Sequence, residues 1–269
     1  MTLKEIIDRL SAAGIESAEH DARELFTAYS GVRSFPLAND SSDSPELADA
    51  VRRRCEREPL QYILGEVGFY RETYKVSAAV LIPRADTEHL VDYAVHHLPR
   101  GAVFADLCTG SGCIAISTLK NTKDTVAIAL DISEAALGVA RENAVKNGVA
   151  DRLTLARADV LAECPIEAHS LDAVLSNPPY VARGVYAELE PEIYREPEIA
   201  FVGGEDGGDF YRALVPLAAE LIKDSGFIAL EIGYDQAKLL SELARDVGMT
   251  AEIIKDYSGN DRVAVLKRR

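Results

Sequence analysis

The chain has 269 residues, 48% hydrophobic and 27% charged, with a formal net charge of −15. That size and apolar content support one large domain, or a large one with a small one, around packed cores. The acidic balance disfavours a broad grip on a phosphate backbone, and no apolar run approaches the length of a membrane span. Residues 1–60 read as a small helical domain. Thr2-Leu-Lys-Glu5 is a capping box, with Ile6, Ile7, Leu10 and Ala13 on one face before Gly14. Ser17 opens a second helix with Ala22, Leu25, Phe26 and Tyr29 inward, ending at Gly31. A polar loop is expected over 33–44. Ser44-Pro45-Glu46 then starts a third helix, with proline at its first position. On that helix Arg52, Arg53 and Arg54, with Arg57, form a basic cluster, expected first as a solvated face and second as a partner-docking site.

Residues 61–84 change character. Val67, Phe69, Tyr70, Tyr74 and Val76 predict a β-hairpin linker from Gln61 to Arg84. A helix follows, capped near Asp86 or Thr87, with Leu90, Val91, Ala94 and Val95 inward. From residue 102 strands and helices alternate. Strands are expected at 102–105, 126–130, 153–156, 171–176 and 226–232, with helices at 114–120, 133–147, 209–223 and 236–247. Two last strands, near 251–255 and 262–266, flank Ser258-Gly-Asn-Asp261 and predict an antiparallel hairpin. The alternation predicts an α/β domain over 85–269, a mostly parallel sheet with helices on both faces.

Asp106-Leu-Cys108-Thr109-Gly110-Ser111-Gly112 follows the first strand of this sheet and opens a helix. Glycines there let a cofactor approach the backbone, and a helix N-terminus offers free N–H donors. The next strand ends at Asp131, where a carboxylate can hold the hydroxyls of a ribose. The third is followed by Asp159-Val160, placed to meet an adenine. Gly110-x-Gly112-x-x-Ala115 also fits a dinucleotide pattern. Asp106 tilts the choice toward S-adenosylmethionine, whose ammonium tail and sulfonium it would attract and whose ribose and adenine carry no phosphate.

The run Leu171–Ser176 ends in Asn177-Pro178-Pro179-Tyr180. The Asn177 side-chain oxygen and a carbonyl of the proline pair can each accept one N–H of a planar NH2 group, with the Tyr180 ring over its plane. This pattern predicts catalysis by Asn177, Pro178 and Tyr180 and substrate binding by these three with Pro179, with Asn177 also bordering the cofactor. The cysteines Cys55, Cys108, Cys113 and Cys164 form no CxxC pair, and the five histidines show no ligand spacing with them. No disulfide framework and no metal are expected, and a cytoplasmic location is. Arg84 and Glu88 are expected as a structural ion pair, and residues 184–207 as a mobile, acidic substrate loop.

These residues resemble the class I S-adenosylmethionine methyltransferases that act on exocyclic or amide nitrogen. Gln61-Tyr-Ile-x-Gly65, Leu81-Ile-Pro-Arg84 with Thr87-Glu88, the Asn-Pro-Pro-Tyr run, Glu196-Pro197, Gly203-Gly204-x-Asp206-Gly207 and Glu231-Ile-Gly233 recur in order. Together they resemble the HemK-type (PrmC) release factor glutamine methyltransferases along nearly the whole chain. The resemblance implies a seven-stranded Rossmann-like domain and a protein substrate, the class 1 peptide chain release factors. It implies methylation of the glutamine amide nitrogen in their Gly-Gly-Gln tripeptide, with the N-terminal helices docking the release factor. It also implies that residues 108–112 wrap the methionine part of the cofactor, that Asp131 binds the ribose and that Val160 packs beside adenine. A monomer without membrane or stable nucleic-acid association is expected. Cys108 stands where that family has glycine, so the backbone there is expected to avoid a left-handed conformation. Ala85-Asp86 stands where it has Pro-Glu. The alternatives are an adenine-N6 or cytosine-N4 nucleic-acid methyltransferase, a non-catalytic S-adenosylmethionine-binding protein, and a dinucleotide oxidoreductase.

Overall fold

A computed structural model of the protein describes residues 1–31, 36–37, 40–162 and 164–268. The chain forms two compact units, Met1–Glu66 with Glu190–Arg195, and Val67–Leu189 with Glu196–Arg269. In the first, helix α1 spans Leu3–Ala12, α2 Ala18–Tyr29, α3 Pro45–Cys55 and the short α4 Leu60–Leu64. The capping box forms: the Thr2 hydroxyl accepts from the Glu5 N–H at 3.2 Å, and the Glu5 carboxylate accepts from the Thr2 N–H at 2.8 Å. Leu10, Phe26 and Val51 from the first three helices meet in one core. Part of the stretch 33–44, expected as a polar loop, lies outside the described residues.

Two expectations fail in this unit. The hairpin does not start at 61. Leu60 and Ile63 are drawn into the helical core, so this segment coils, and Gly65 stops it in a left-handed conformation. The arginine run is a solvated face only at Arg52; Arg53 and Arg57 are half-buried and Arg54 is buried. Leu47, Val51 and Arg54 share the buried stripe of α3, because positions four and seven apart fall on one side of a helix. Arg54, its side chain only 7% exposed, donates to Asp21 at 2.7 Å and to Glu192 at 2.9 Å. Arg57 donates to the other oxygen of Glu192, Arg53 pairs with Glu58, and Arg52 with Asp49 and Glu56. Each cation of the cluster is therefore matched within its own unit.

The hairpin of β1 (Glu66–Phe69) and β2 (Glu72–Lys75) comes next in the chain, the second unit beginning at Val67. Then come α5 (Glu88–His97), β3 (Val103–Leu107), α6 (Cys113–Asn121), β4 (Val126–Asp131), α7 (Glu134–Lys146), β5 (Leu153–Arg157) and β6 (Leu171–Ser176). They are followed by α8 (Arg183–Tyr186), α9 (Asp209–Leu221), β7 (Ile222–Glu231), α10 (Ala237–Asp246), β8 (Met249–Lys255) and β9 (Asp261–Arg268). Seven strands form one sheet in the order β5-β4-β3-β6-β7-β9-β8. Pairing is parallel through β7, and β9 then runs antiparallel to both β7 and β8. Alternation along the strands feeds two cores. Phe227 and Ala229 of β7 join Leu90 of α5 and Ile116 of α6, while Ile228 and Leu230 join Tyr211 of α9 and Leu240 of α10. This is the predicted α/β architecture. Helix α9 stops at Leu221, two residues early, because Ile222 already pairs with Leu171 and β7 bulges before Phe227. Among the described residues no helix is long and apolar enough to cross a membrane.

Candidate active site

The carboxyl ends of β3, β4, β5, β6 and β7 share one edge of the sheet. The chain order reverses between β3 and β6, and a crevice opens at such a switch point. A cavity of about 250 Å³ lies there. Of the residues predicted for cofactor and substrate, Cys108, Thr109, Gly110, Ser111, Asp131, Asp159, Val160, Asn177 and Pro179 line it. Asp106, Gly112, Pro178 and Tyr180 do not. Ile132, Ser133, Leu161 and Phe210 also belong to the wall and were not singled out from sequence. Their signal was available in part: Ile132 is an apolar residue directly following the acidic end of β4, and Leu161 follows Asp159-Val160 in the loop after β5.

The loop after β3 is held from two sides. Asp106 is fully buried, and its Oδ2 accepts from the Thr109 hydroxyl at 2.6 Å and the Ala115 N–H at 3.1 Å. It thereby braces the first turn of α6, whose leading N–H groups have no partner within the helix. Its Oδ1 is buried with no hydrogen-bond partner among the described residues. Burial pushes the carboxyl up to about 7, against the pull of those two donors. On the other side, the Thr109 N–H donates to the Leu130 carbonyl at 3.0 Å and the Gly110 N–H to Asp131 Oδ2 at 2.8 Å. Asp131 Oδ1 accepts from the Ser133 N–H at 2.9 Å. Each carboxylate oxygen keeps a lone pair for a further hydroxyl.

Cys108 overturns one expectation. Its φ is +61°, squarely in the left-handed region. The two bonds that follow it, from Thr109 and Gly110 to the end of β4, tie the loop down and hold a residue type that rarely adopts this conformation. Burial raises the Cys108 thiol well above its ordinary range and the Cys113 thiol to about 12. Both therefore stay protonated and act as packing groups.

Around Asn177 the fold joins four segments. The Asn177 Nδ2 donates to the Thr87 hydroxyl at 3.3 Å, and that hydroxyl donates to Glu231 Oε2 at 2.5 Å. The Tyr180 hydroxyl donates to Glu231 Oε1 at 3.1 Å. Burial pushes the Glu231 carboxyl upward, while both hydroxyls and nearby Arg262 oppose the shift. The tyrosine ring packs against the α9–α10 core. Among the described residues no donor reaches Asn177 Oδ1 or the Pro178 carbonyl. The Tyr180 carbonyl accepts from Gln236 Nε2 at 3.0 Å. Gly207 lies against the same carbonyl, so close that a Cβ there would stand 2.3 Å from it. Thr87 and Glu231 stood only inside motif strings. An acid ending the apolar run Phe227–Leu230 is the signal that points to Glu231.

Arg84 does not pair with Glu88. It donates to Glu196 Oε1 at 2.5 Å, while Glu196 Oε2 accepts from the Ile82 N–H. Glu88, at the start of α5, instead accepts from the Tyr70 N–H of the hairpin turn at 2.7 Å. The acidic segment 184–207 is built from α8 and two single turns of 3₁₀ helix, with Glu196 anchored in this way in the second unit and Glu192 in the first.

The PrmC N-terminal domain family matches residues 2–65, and the Methyltransferase small domain family matches residues 87–194. A release factor glutamine methyltransferase of Moorella thermoacetica is 40% identical over 99% of this chain and 97% of that protein. One from Caulobacter vibrioides is 36% identical over 96% and 92%. Among solved structures, the ribosomal protein L11 methylase of Lactobacillus delbrueckii superposes with a TM-score of 0.53 at 19% identity, covering 72% of this chain and 84% of that one. That likeness shows the fold, the class I methyltransferase sheet. With relatives this similar along its whole length, the chain belongs to the release factor glutamine methyltransferase family.

Proposed function

We propose that this protein transfers a methyl group from S-adenosylmethionine to the side-chain amide nitrogen of the glutamine in the Gly-Gly-Gln tripeptide of class 1 peptide chain release factors. The observation that carries this reading is one cavity bordered by both the glycine loop with Asp131 and the Asn177 tip of β6. The donor set suits the cofactor. Residues 108–111 offer a close backbone surface, Asp131 has free lone pairs for ribose hydroxyls, and Val160 and Leu161 offer an apolar wall for adenine. Asp106, buried behind the same loop, holds its shape through Thr109 and Ala115. The cofactor contributes an electrophilic methyl carried on a sulfonium.

The rest is done by the chain's own residues. An amide nitrogen is a poor nucleophile, because its lone pair is delocalised into the carbonyl. Asn177 Oδ1 and the Pro178 carbonyl accept its two N–H bonds and hold it edge-on. Acceptors so placed also stabilise the positive charge that develops on nitrogen. Orientation of this kind is worth up to ~7–11 kcal/mol of barrier. The proton then leaves to water.

The same NH2 geometry would serve a nucleic-acid base. The net charge of −15 and the pairing of Arg52, Arg53, Arg54 and Arg57 with carboxylates favour a protein substrate instead. In this reading the helical unit docks the release factor, and the protein works as a monomer in the cytoplasm.

Mass spectrometry of tryptic peptides of a release factor, incubated with protein and S-adenosylmethionine, tests the substrate. One added methyl on the Gly-Gly-Gln glutamine is expected; transfer to oligonucleotides alone would refute it. The Asn177→Ala variant is expected to lose about 100-fold in kcat, while its affinity for S-adenosylhomocysteine by calorimetry stays within a few-fold. Near-normal turnover would remove Asn177 from this role.

A further inference from the structure

We propose that Glu231 and Thr87 are positioning residues that set which end of the Asn177 carboxamide faces the substrate. The inference rests on the reading above, in which Asn177 Oδ1 accepts from the glutamine amide. It concerns how that oxygen comes to face the cavity.

Asn side-chain amides are nearly symmetric in shape, so packing alone does not select between their two orientations. Hydrogen-bond polarity does. Glu231 lies at the end of β7 and is 1% exposed. A carboxylate only accepts, and here it receives two hydroxyls, Thr87 on Oε2 and Tyr180 on Oε1. Thr87 has a single hydroxyl proton, and it is committed to Glu231 at 2.5 Å. What Thr87 then offers Asn177 is lone pairs. Only the Nδ2 end of Asn177 can meet them, and it does so at 3.3 Å. Oδ1 is thereby left to face the substrate. The flipped orientation would oppose Oδ1 to the threonine lone pairs and turn NH2 toward an incoming NH2. Acceptor would meet acceptor on one side and donor meet donor on the other. A single buried charge on a neighbouring strand thus fixes the polarity of the clamp through one intervening hydroxyl. It also fixes Tyr180 through the other.

The test is a cycle of variants assayed for kcat, for S-adenosylhomocysteine affinity by calorimetry and for thermal melting. Thr87→Val keeps the shape and removes the relay. It is expected to lower kcat roughly 10- to 100-fold, with cofactor affinity within about two-fold. Thr87→Ser, which keeps the hydroxyl, should restore most of that loss. Because Thr87 acts through Asn177, the Thr87→Val change should add almost nothing to Asn177→Ala. Near-normal turnover of Thr87→Val beside a crippled Asn177→Ala would overturn the relay and leave the function standing. The full loss from Thr87→Val in the Asn177→Ala background would also overturn it. Normal turnover of Asn177→Ala itself would sink both readings. Should Thr87→Val not fold, the intact protein still decides. The Asn177 side-chain amide resonance, assigned by its loss in Asn177→Ala, should show one proton protected from solvent exchange. Two freely exchanging protons would refute the relay.

Discussion

Gly203 lies so close to Pro179 that a Cβ on it would stand 2.5 Å from the Pro179 carbonyl oxygen and 2.9 Å from the Tyr180 Cα. The glycine-rich stretch 203–208 is therefore the backing on which the Asn-Pro-Pro-Tyr backbone rests. It is tied there by the Gly203 N–H donating to the Val181 carbonyl and the Val181 N–H to the Phe201 carbonyl.

Gly203→Ala should push that backbone away from the cavity. Overpacking of this kind costs roughly 1–3 kcal/mol. We expect a lower melting temperature and a kcat reduced about tenfold, with cofactor affinity little changed because residues 108–112 are untouched. A variant with full activity and wild-type melting would show that the tip tolerates displacement.

Cys108 occupies a left-handed conformation at φ +61°. A β-branched residue is more strained there and a glycine less. Cys108→Val should lose about 2 kcal/mol, whereas Cys108→Gly should hold or gain up to about 1 kcal/mol. Urea unfolding of the three proteins gives the order. A glycine variant less stable than the valine variant contradicts the observed backbone.

Asp106 makes stability depend on pH with a predictable sign. Its carboxyl is pushed up to about 7 from an ordinary value of 3.8. Between those values the folded protein keeps a proton that the unfolded chain has released. Stability from this group is thus fully present below the unfolded value and is lost as pH rises through the folded one, at roughly 1.4 kcal/mol per pH unit inside the window. Asp106→Asn has no such titration. Relative to the parent, the variant should be more stable at pH 8 than at pH 5 in cofactor-free protein. Parallel stability–pH curves would show that Asp106 does not titrate there.

Arg52 and Arg54 are near neighbours in sequence with opposite surroundings. The Arg52 side chain is 54% exposed in its ion pairs, and such pairs contribute about 0–1 kcal/mol. Arg54 sits between Asp21, 4% exposed, and Glu192. Arg54→Ala leaves Asp21 buried without its cation, at about 3 kcal/mol. Arg52→Ala should fall within the range for exposed pairs. Equal costs in chemical denaturation would refute the distinction.

Much of this protein is determined within a few residues of each position. Thr2 with Glu5, and Ser44 with Pro45, start their helices by local bonding, so their reading needs no fold. The alternation of strands and helices after residue 102 dictates a parallel sheet, since a parallel strand needs a crossover. A parallel sheet in turn brings the loop after β3, Asp131, Asp159 and Asn177 to one edge. What the tertiary structure alone decided is which polar group meets which. Thr87 and Glu231 are separated by 144 positions, and no local pattern couples them. Arg84 prefers Glu196 to the nearby Glu88, and Cys108 accepts a left-handed backbone. Periodicity reports which face of an element is buried. The partner of a buried charge, and the strain a loop will bear, depend on contacts that exist only after the elements have packed.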